Sequence, residues 1–536
     1  MRIIYLLFSL LLLGQESRGQ AHVAVIPQPN AVQLSGGQLA LRDNSFVSES
    51  DALLFGDASA LFREQLFAQA GFTWFKTGES AKAILIFNRN PALQPEEYIL
   101  NITAGRVTVE ASAKPGAHNA VMSLLQMMVF GKEAGVCRIP LGKIRDKPEY
   151  AWRGYMLDES RHFFGVEKVK QILNWMAFYK LNKFHWHLTD EPAWRLEIKK
   201  YPMLALVGGI GTFTDPLAGV KYYTQEDIRD IVAYAAKRQI EIIPEIDMPG
   251  HATAANRAYP QFSGGGSKNH PDFTFHPAKK GTYTYLTNIL KEVNVLFPSG
   301  LVHLGGDEVS FGSEAWNSDR LIDSLKTRQK FTTNKEVETY FMRRMADSLF
   351  QMNARIGVWD EMADSGLPKD KAVQFWWRHD KPEQLQLSLK NGYATVICPR
   401  IPFYFDFVQE ENHRYGRKWG KAFGTLQALY EYNMEDLRKT ETYRGQVLGV
   451  QGNLWTETVN TPDRLDFLTF PRLAALAEVG WSDGKAKNYG RFLDELKKHL
   501  GLYREENLYF YDPFDPAKEE AYFNKPPKKY LDNPED

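Results

Sequence analysis

The sequence predicts a (β/α)8 barrel preceded by a small α+β domain, and three observations lead there. Between Trp152 and Trp481, eight short runs rich in β-branched and aromatic residues alternate with stretches of helical period. Residues suited to chemistry recur at the C-terminal end of every one of these runs. None of the runs is followed by the Gly-rich phosphate turn of a doubly wound open sheet. The expected strands are 153–157, 183–188, 240–246, 301–304, 355–359, 372–376, 394–398 and 447–454. Helices are expected over 166–180, 225–237, 283–297 and 335–351, with one more, 465–479, after the last strand.

The 536 residues suffice for one large domain and a smaller one. Strand-like runs at 83–87, 98–103 and 106–111, followed by a helical run at 117–130, assign an α+β domain to residues 20–148. The barrel then spans 149–485. A short C-terminal extension, 486–536, has helical spacing over 491–500 and an aromatic stretch at 508–514, and is expected to pack on the barrel. Arg2, the apolar run 3–13 and the small residues Ser17 and Gly19 read as a signal peptide over residues 1–19, too short to span a bilayer. Export follows, with a bacterial periplasm favoured over the extracellular space, and no later stretch calls for stable membrane insertion. Lys+Arg and Asp+Glu are both 65, so nothing electrostatic draws the chain to nucleic acid or an anionic membrane. The two cysteines, Cys137 and Cys398, fall in different domains and are expected to be free and buried. The sequence carries no signature of an oligomeric state.

Chemistry concentrates where a barrel would need it. Asp158 and Arg161 follow the first strand, His187 and Asp190 end the second, and Asp247 and His251 follow the third. Asp307 and Glu308 follow the fourth; Trp359, Trp376, Tyr404 with Asp406, and Trp455 with Glu457 follow the remaining four. Three reaction classes could use such a site. In metal-assisted hydrolysis, His185, His187, His251 and His303 would supply ligands. That class places its His pair on the first strand of a barrel, whereas this pair is on the second, so His185 and His303 read better as packed, hydrogen-bonded strand residues. Ordinary two-carboxylate glycoside hydrolysis needs carboxyl groups roughly 5–9.5 Å apart on opposite sides of the bond. Asp307 and Glu308 are consecutive, with Cα atoms about 3.8 Å apart, and do not easily flank an anomeric carbon. A substrate carrying a 2-acetamido group resolves this, because its own carbonyl oxygen can attack C1. One carboxylate is then the acid/base and its neighbour stabilises the acetamido nitrogen.

The stretch His303-Leu-Gly-Gly-Asp-Glu308 resembles the active-site motif of glycoside hydrolase family 20, the β-N-acetylhexosaminidases. So do Leu157-Asp-Glu-Ser-Arg161, His185-Trp-His-Leu-Thr-Asp190, Pro244-Glu-Ile-Asp-Met-Pro-Gly-His251, Trp359-Asp-Glu361 and Leu454-Trp-Thr-Glu457, all in order along the barrel. The resemblance implies hydrolysis of terminal, non-reducing β-linked N-acetylglucosamine or N-acetylgalactosamine, with retention, no metal and no organic cofactor. The partners implied are oligosaccharides or glycoconjugates containing N-acetylhexosamine. It assigns Glu308 as acid/base, Asp307 as stabiliser of the acetamido N–H, and Tyr404 as donor to the acetamido oxygen. His251 and Asp190 form a relay behind Glu308. Arg161, Asp406 and Glu457 bind ring hydroxyls, and Trp359, Trp376 and Trp455 wall the pocket, with Trp377 facing outward. Asp158 and Asp247 are supporting residues, Asp360 and Glu361 structural ones.

The chain departs from the family pattern at Glu191-Pro192-Ala193, and the loop 262–269, with three consecutive glycines, reads as solvent-exposed slack. The rival from another class is a silent sugar-binding protein on the same scaffold; it would be expected to lack Glu308, Asp307 or Tyr404, all of which are present.

Overall fold

The computed structural model describes residues 23–413, 416–418, 422–438, 443 and 445–516. The expected signal peptide and the last part of the C-terminal extension lie outside the described residues.

The first domain is one mixed sheet of eight strands: β1 (Ala31–Leu41), β2 (Phe46–Glu49), β3 (Phe75–Lys76), β4 (Leu85–Arg89), β5 (Tyr98–Ile102), β6 (Val107–Ala111), β7 (Lys132–Glu133) and β8 (Val136–Asp146). Their order is β1-β8-β5-β6-β4-β2-β3, with β7 pairing on β8. β6 alternates buried Val107, Val109 and Ala111 with the polar Thr108 and Glu110, as a sheet with one covered face requires. The cover is two helices, Ala52–Ala70 and Lys114–Phe130; the first is capped by Asp51 and ended by left-handed Gly71.

A closed, all-parallel barrel follows: β9 (Trp152–Asp158), β10 (Lys183–His187), β11 (Glu241–Glu245), β12 (Leu301–His303), β13 (Arg355–Trp359), β14 (Ala372–Trp376), β15 (Ala394–Ile397) and β16 (Val447–Leu454), with β16 closing on β9. All eight expected strands are present. Four of the five expected helices are single elements: Val166–Phe178, Gln225–Lys237, Lys280–Leu296 and Asn334–Phe350. The fifth is two, Pro462–Thr469 and Arg472–Trp481, because Pro471 has no N–H to continue the first. The C-terminal helix Tyr489–Glu505 packs on the barrel, and Tyr511 N–H donates to Phe470 O at 3.2 Å.

The parallel register places the chemistry. His187 pairs with Asp158 on one side and Glu245 on the other, and Glu245 pairs with His303. Four polar residues thus sit in one row at the C-terminal rim. Side chains alternate along each strand, so His185 and His187 turn into the barrel while Phe184 and Trp186 turn out into the helix layer. The interior is filled by Trp152, Ile243, Trp359, Phe375 and Val396, a packed core rather than a pore.

Asp146, fully buried where the two domains meet, holds them together. It accepts from Tyr98 Oη at 2.7 Å, Trp481 Nε1 at 3.1 Å and the backbone N–H of Asn30 at 2.9 Å, and pairs with Lys180 at 3.4 Å. Arg153 of β9 reaches back to Glu96, and Gln126 Nε2 donates to the carbonyls of Ile26 and Phe178. Cys137 and Cys398 are free and buried, one in each domain.

Candidate active site

The first loop is stitched to the last by one side chain. Asp158 Oδ1 accepts from the N–H groups of Ser160 (2.8 Å) and Arg161 (3.1 Å), while Oδ2 accepts from Thr456 N and Oγ1, both at 3.0 Å. That ties the turn carrying Arg161 to the segment carrying Trp455 and Glu457. Asp158 is a supporting residue, as expected.

The carboxylate pair is delivered by strained backbone. Gly305 and Gly306 lead out of β12 at φ +68° and +89°, and Glu308 itself sits at φ +51°. A Cβ on Gly305 would lie 1.8 Å from Asp247 Oδ1, so only glycine lets the strand end pass that carboxylate. His251, also left-handed at φ +51°, places Nε2 3.5 Å from Glu308 Oε2 and 3.6 Å from Asp307 Oδ2. Strain at two facing residues costs on the order of 1–3 kcal/mol each and persists where the surroundings over-determine it.

Behind His251 runs a longer chain than the sequence showed. His251 Nδ1 meets Asp190 Oδ1 at 3.0 Å; Asp190 Oδ2 meets Arg161 Nη1 at 2.8 Å and His187 Nε2 at 2.9 Å; His187 Nδ1 meets Glu245 Oε2 at 2.6 Å. Glu245 also faces His185 Nε2 (3.0 Å) and His303 Nδ1 (2.9 Å), and accepts from Trp359 Nε1 at 2.9 Å. His185 and His303 are packed strand residues around one carboxylate, and their hydrogen bonds are with Gln451 Nε2 (3.0 Å, at His185 Nδ1) and the Gly305 N–H (3.1 Å, at His303 Nδ1). Donor atoms of His185, Glu245 and His303, and of Asp247, His251 and Asp307, also come within 4.8 Å of one another, a spacing compatible with an ion.

The electrostatics follow from burial and pairing. Burial alone would raise the Asp190 and Glu245 carboxyls, but Arg161 with His251, and the three surrounding imidazoles, respectively, outweigh it and hold both well below the usual range. Burial alone would lower His187 and His251, but the facing carboxylates hold both well above the ordinary imidazole value. Asp307 is pushed up to about 8, by burial first and then by Glu308, against the opposing pull of His251. Asp247 is likewise raised by burial and by Asp307.

The pocket above is aromatic. Trp359 and Trp455 meet at 6.0 Å, and Tyr404 closes against Trp455 at 6.2 Å. Burial keeps the Tyr404 phenol well above its ordinary pKa, so its O–H remains a donor. Trp376, expected in this wall, points away from it. Val373 and Phe375 face the barrel interior, so alternation sends Trp376 outward, where its Nε1 donates to Lys381 O at 3.4 Å. Trp377, expected outside, takes the wall position, parallel to Tyr404 at 6.2 Å and held by Glu361 through Nε1–H at 3.0 Å.

The far end is closed by charge. Arg417 meets Glu457 at 3.0 Å and Asp406 at 3.3 Å, and Arg161 lies over the Trp455 ring at 5.1 Å. Burial pushes Asp406 up to about 7 despite Arg417. Asp307 Oδ1, Asp406 Oδ1 and Glu457 Oε2 are buried and find no hydrogen-bond partner among the other described residues. Such acceptors at one cavity suit a ligand rich in O–H and N–H groups.

All the expected residues except Trp376 thus converge on one cavity or its support. Glu245, Trp377, Arg417 and His270 were missed as contributors, while Glu191, singled out as a departure from the family pattern, lines the rim. Glu245 had a legible signal, lying within the Pro244-to-His251 motif two residues before Asp247. Arg417 had none, since it comes from an irregular segment. The loop 262–269 is not slack. Gly264 N–H donates to Thr274 O at 2.7 Å, Thr274 N–H to Gly265 O at 3.0 Å, and Ser267 N–H to His270 O at 3.0 Å. A Cβ on Gly266 would lie 2.0 Å from His270 O, so the glycines allow close packing here. The pinned loop sets His270 at the rim, 3.1 Å from Glu191.

Residues 150–484 match the model of the glycosyl hydrolase family 20 catalytic domain, and residues 22–147 match that family's domain 2. The chain is 32% identical over 481 residues to a β-hexosaminidase of Vibrio furnissii, covering 86% of this chain and 77% of that one. It is also 32% identical over 418 residues to a β-hexosaminidase of Porphyromonas gingivalis, covering 75% of this chain and 53% of that longer relative. The crystal structure of a family 20 exo-β-N-acetylglucosaminidase from Vibrio harveyi in complex with N-acetylglucosamine matches with a TM-score of 0.84 and 31% identity, over 92% of this chain and 80% of that one. The barrel and its carboxylate-lined pocket are those of a glycoside hydrolase. Within that class, the chain belongs to glycosyl hydrolase family 20.

Proposed function

We propose that the protein is an exo-acting β-N-acetylhexosaminidase that releases terminal, non-reducing N-acetylglucosamine or N-acetylgalactosamine with retention. The observation that carries this reading is the consecutive pair Asp307–Glu308, both facing one imidazole, His251. Two carboxylates on one side of a pocket do not supply an acid and an opposed nucleophile. In the proposed step the substrate's acetamido oxygen forms a bond to C1 while the bond from C1 to the leaving oxygen breaks. Glu308 gives its proton to that oxygen. Positive charge spreads onto the acetamido nitrogen, whose N–H donates to a carboxyl oxygen of Asp307. Tyr404 donates its O–H to the acetamido oxygen and orients it. Water then attacks C1, Glu308 takes its proton, and the acetamido group is restored. Arg417, Asp406 and Glu457 close the non-reducing end, which restricts action to terminal residues.

The test compares p-nitrophenyl β-N-acetylglucosaminide with the plain β-glucoside. Wild type is expected to cleave only the acetamido sugar, and Glu308→Gln to lose about 10²–10⁴-fold in kcat. Comparable cleavage of the plain glucoside would refute substrate assistance. Export through residues 1–19 to a bacterial periplasm belongs to the same reading. N-terminal sequencing of the exported protein should start near Gln20; a start at Met1 would refute cleavage.

A further inference from the structure

Residues 207–222 form neither helix nor strand, yet the tip of this excursion reaches the pocket. Phe213 lines the cavity beside Arg161, and its N–H donates to Arg161 O at 2.9 Å. The two limbs are joined by Gly211 N–H to Ala218 O at 2.9 Å and Lys221 N–H to Gly209 O at 3.0 Å, which closes the loop on itself without fixing it to the barrel. Gly208, Gly209, Gly211 and Gly219 give the segment many conformations to lose, so an outside anchor is needed to hold one of them.

Arg195 is that anchor. Its backbone is tied to the barrel, with its N–H donating to Leu188 O at 2.9 Å just past β10 and its carbonyl accepting from Tyr223 N–H at 2.8 Å. Its side chain is fully buried. Nε donates to Glu159 O at 3.0 Å, Nη1 to Gly209 O at 2.9 Å and Lys221 O at 3.0 Å, and Nη2 to Ser160 O at 3.0 Å and Gly211 O at 2.8 Å. All these acceptors are backbone carbonyls. Two belong to the turn that leads into Arg161, and three to the loop whose tip is Phe213. The peptide of Arg161 is thus held from both sides, directly through the neighbouring Ser160 carbonyl and indirectly through the Phe213 N–H. A rigid planar fork can reach both segments at once; the three donors of a lysine radiate from one atom and cannot. A cation that served stability alone would have no reason to bind only segments that carry pocket residues.

We propose that Arg195 is a positioning residue for the hydrolysis: by gripping both segments it sets Arg161, and Arg161 grips the sugar. The role rests on the hexosaminidase reading, which assigns Arg161 to the ring hydroxyls. The test combines thermal melts with steady-state kinetics on 4-methylumbelliferyl β-N-acetylglucosaminide, for Arg195→Lys and Gly211→Ala, each alone and in an Arg161→Met background. Gly211→Ala reaches the clamp from within the loop: the residue sits at φ +91° and a Cβ there would lie 2.8 Å from Pro216 O, so the carbonyl that Arg195 holds must shift. That variant decides the question if Arg195→Lys does not fold. Alone, each substitution is expected to raise KM about five- to tenfold, because a displaced Arg161 weakens binding, whereas loss of folded enzyme lowers kcat and leaves KM as it was. In the Arg161→Met background each should change kcat/KM by less than about twofold, since nothing is left to position. Unchanged KM in the single variants, or full losses that multiply in the Arg161→Met background, would overturn the positioning role and leave the hexosaminidase reading intact. So would an Arg161→Met variant with wild-type kinetics. A wild type that does not cleave the substrate would overturn that reading and the role with it.

Discussion

Asp307 carries the sharpest conflict between stability and use. Its buried carboxyl holds a proton up to about pH 8, whereas an unfolded chain releases it near pH 4. The folded state therefore binds more protons across that window, and its stability falls as pH rises from about 4 to 8. Asp307→Asn removes the titration. The variant should be more stable than wild type at pH 7, by on the order of 1–2 kcal/mol, and no more stable at pH 4. It should also lose activity. Urea unfolding at the two pH values checks this; an equal change at both would place the stabilisation elsewhere. Arg161 belongs to the same scale, since it meets Asp190, Glu457 and Asp158 at once and so joins the His251–Asp190 chain to the Asp406–Glu457 end of the pocket.

At the scale of elements, β14 decides which tryptophan does which job. Trp376 is part of the layer between barrel and helices, and Trp377 is part of the pocket. Trp376→Ala should cost about 3–5 kcal/mol of stability, leaving the kinetics of the folded fraction close to wild type. Trp377→Ala should instead raise KM or lower kcat for the acetamido sugar with a smaller change in Tm. Thermal melts with steady-state kinetics on both variants separate the two roles; a kinetic defect confined to Trp376→Ala would reverse the assignment. The Gly264–Gly266 segment makes a related point. Its glycines allow close backbone approach that brings His270 to the rim, so flexibility in composition became rigidity in the fold.

For the whole molecule, the join between sheet domain and barrel is a buried polar knot. Asp146 gathers Tyr98, Lys180, Trp481 and Asn30 from four distant parts of the chain. Asp146→Ala would leave Lys180, already lowered to about 8 by burial, without its ion-pair partner. A loss of about 3–5 kcal/mol is expected in denaturant unfolding, because removing one partner leaves the other buried. The active site lies at the opposite, C-terminal rim of the barrel, so kcat should hold at temperatures where the variant is folded. A change in kcat at full folding would show coupling between the knot and the rim.

Much of this was legible in advance because it is periodic or local. Alternating apolar runs and helical spacing marked all eight barrel strands, since burial imposes those periods on the residues themselves. Adjacent residues such as Asp307 and Glu308 displayed their partnership in the sequence because the peptide bond holds them together. The helix break at Pro471 was equally local and was overlooked. What the sequence could not decide were relations across strands and loops. Glu245 meets His185, His187, His303 and Trp359 only through the register of four strands, and Arg417 meets Asp406 and Glu457 through an irregular segment without period. Trp376 and Trp377 are chemically identical neighbours, and only the inward or outward sense of β14 tells them apart. The sequence by itself determined the family, the barrel and the adjacent carboxylate pair; the tertiary structure decided the partners, because long-range contacts depend on register and packing that no short stretch of chain contains.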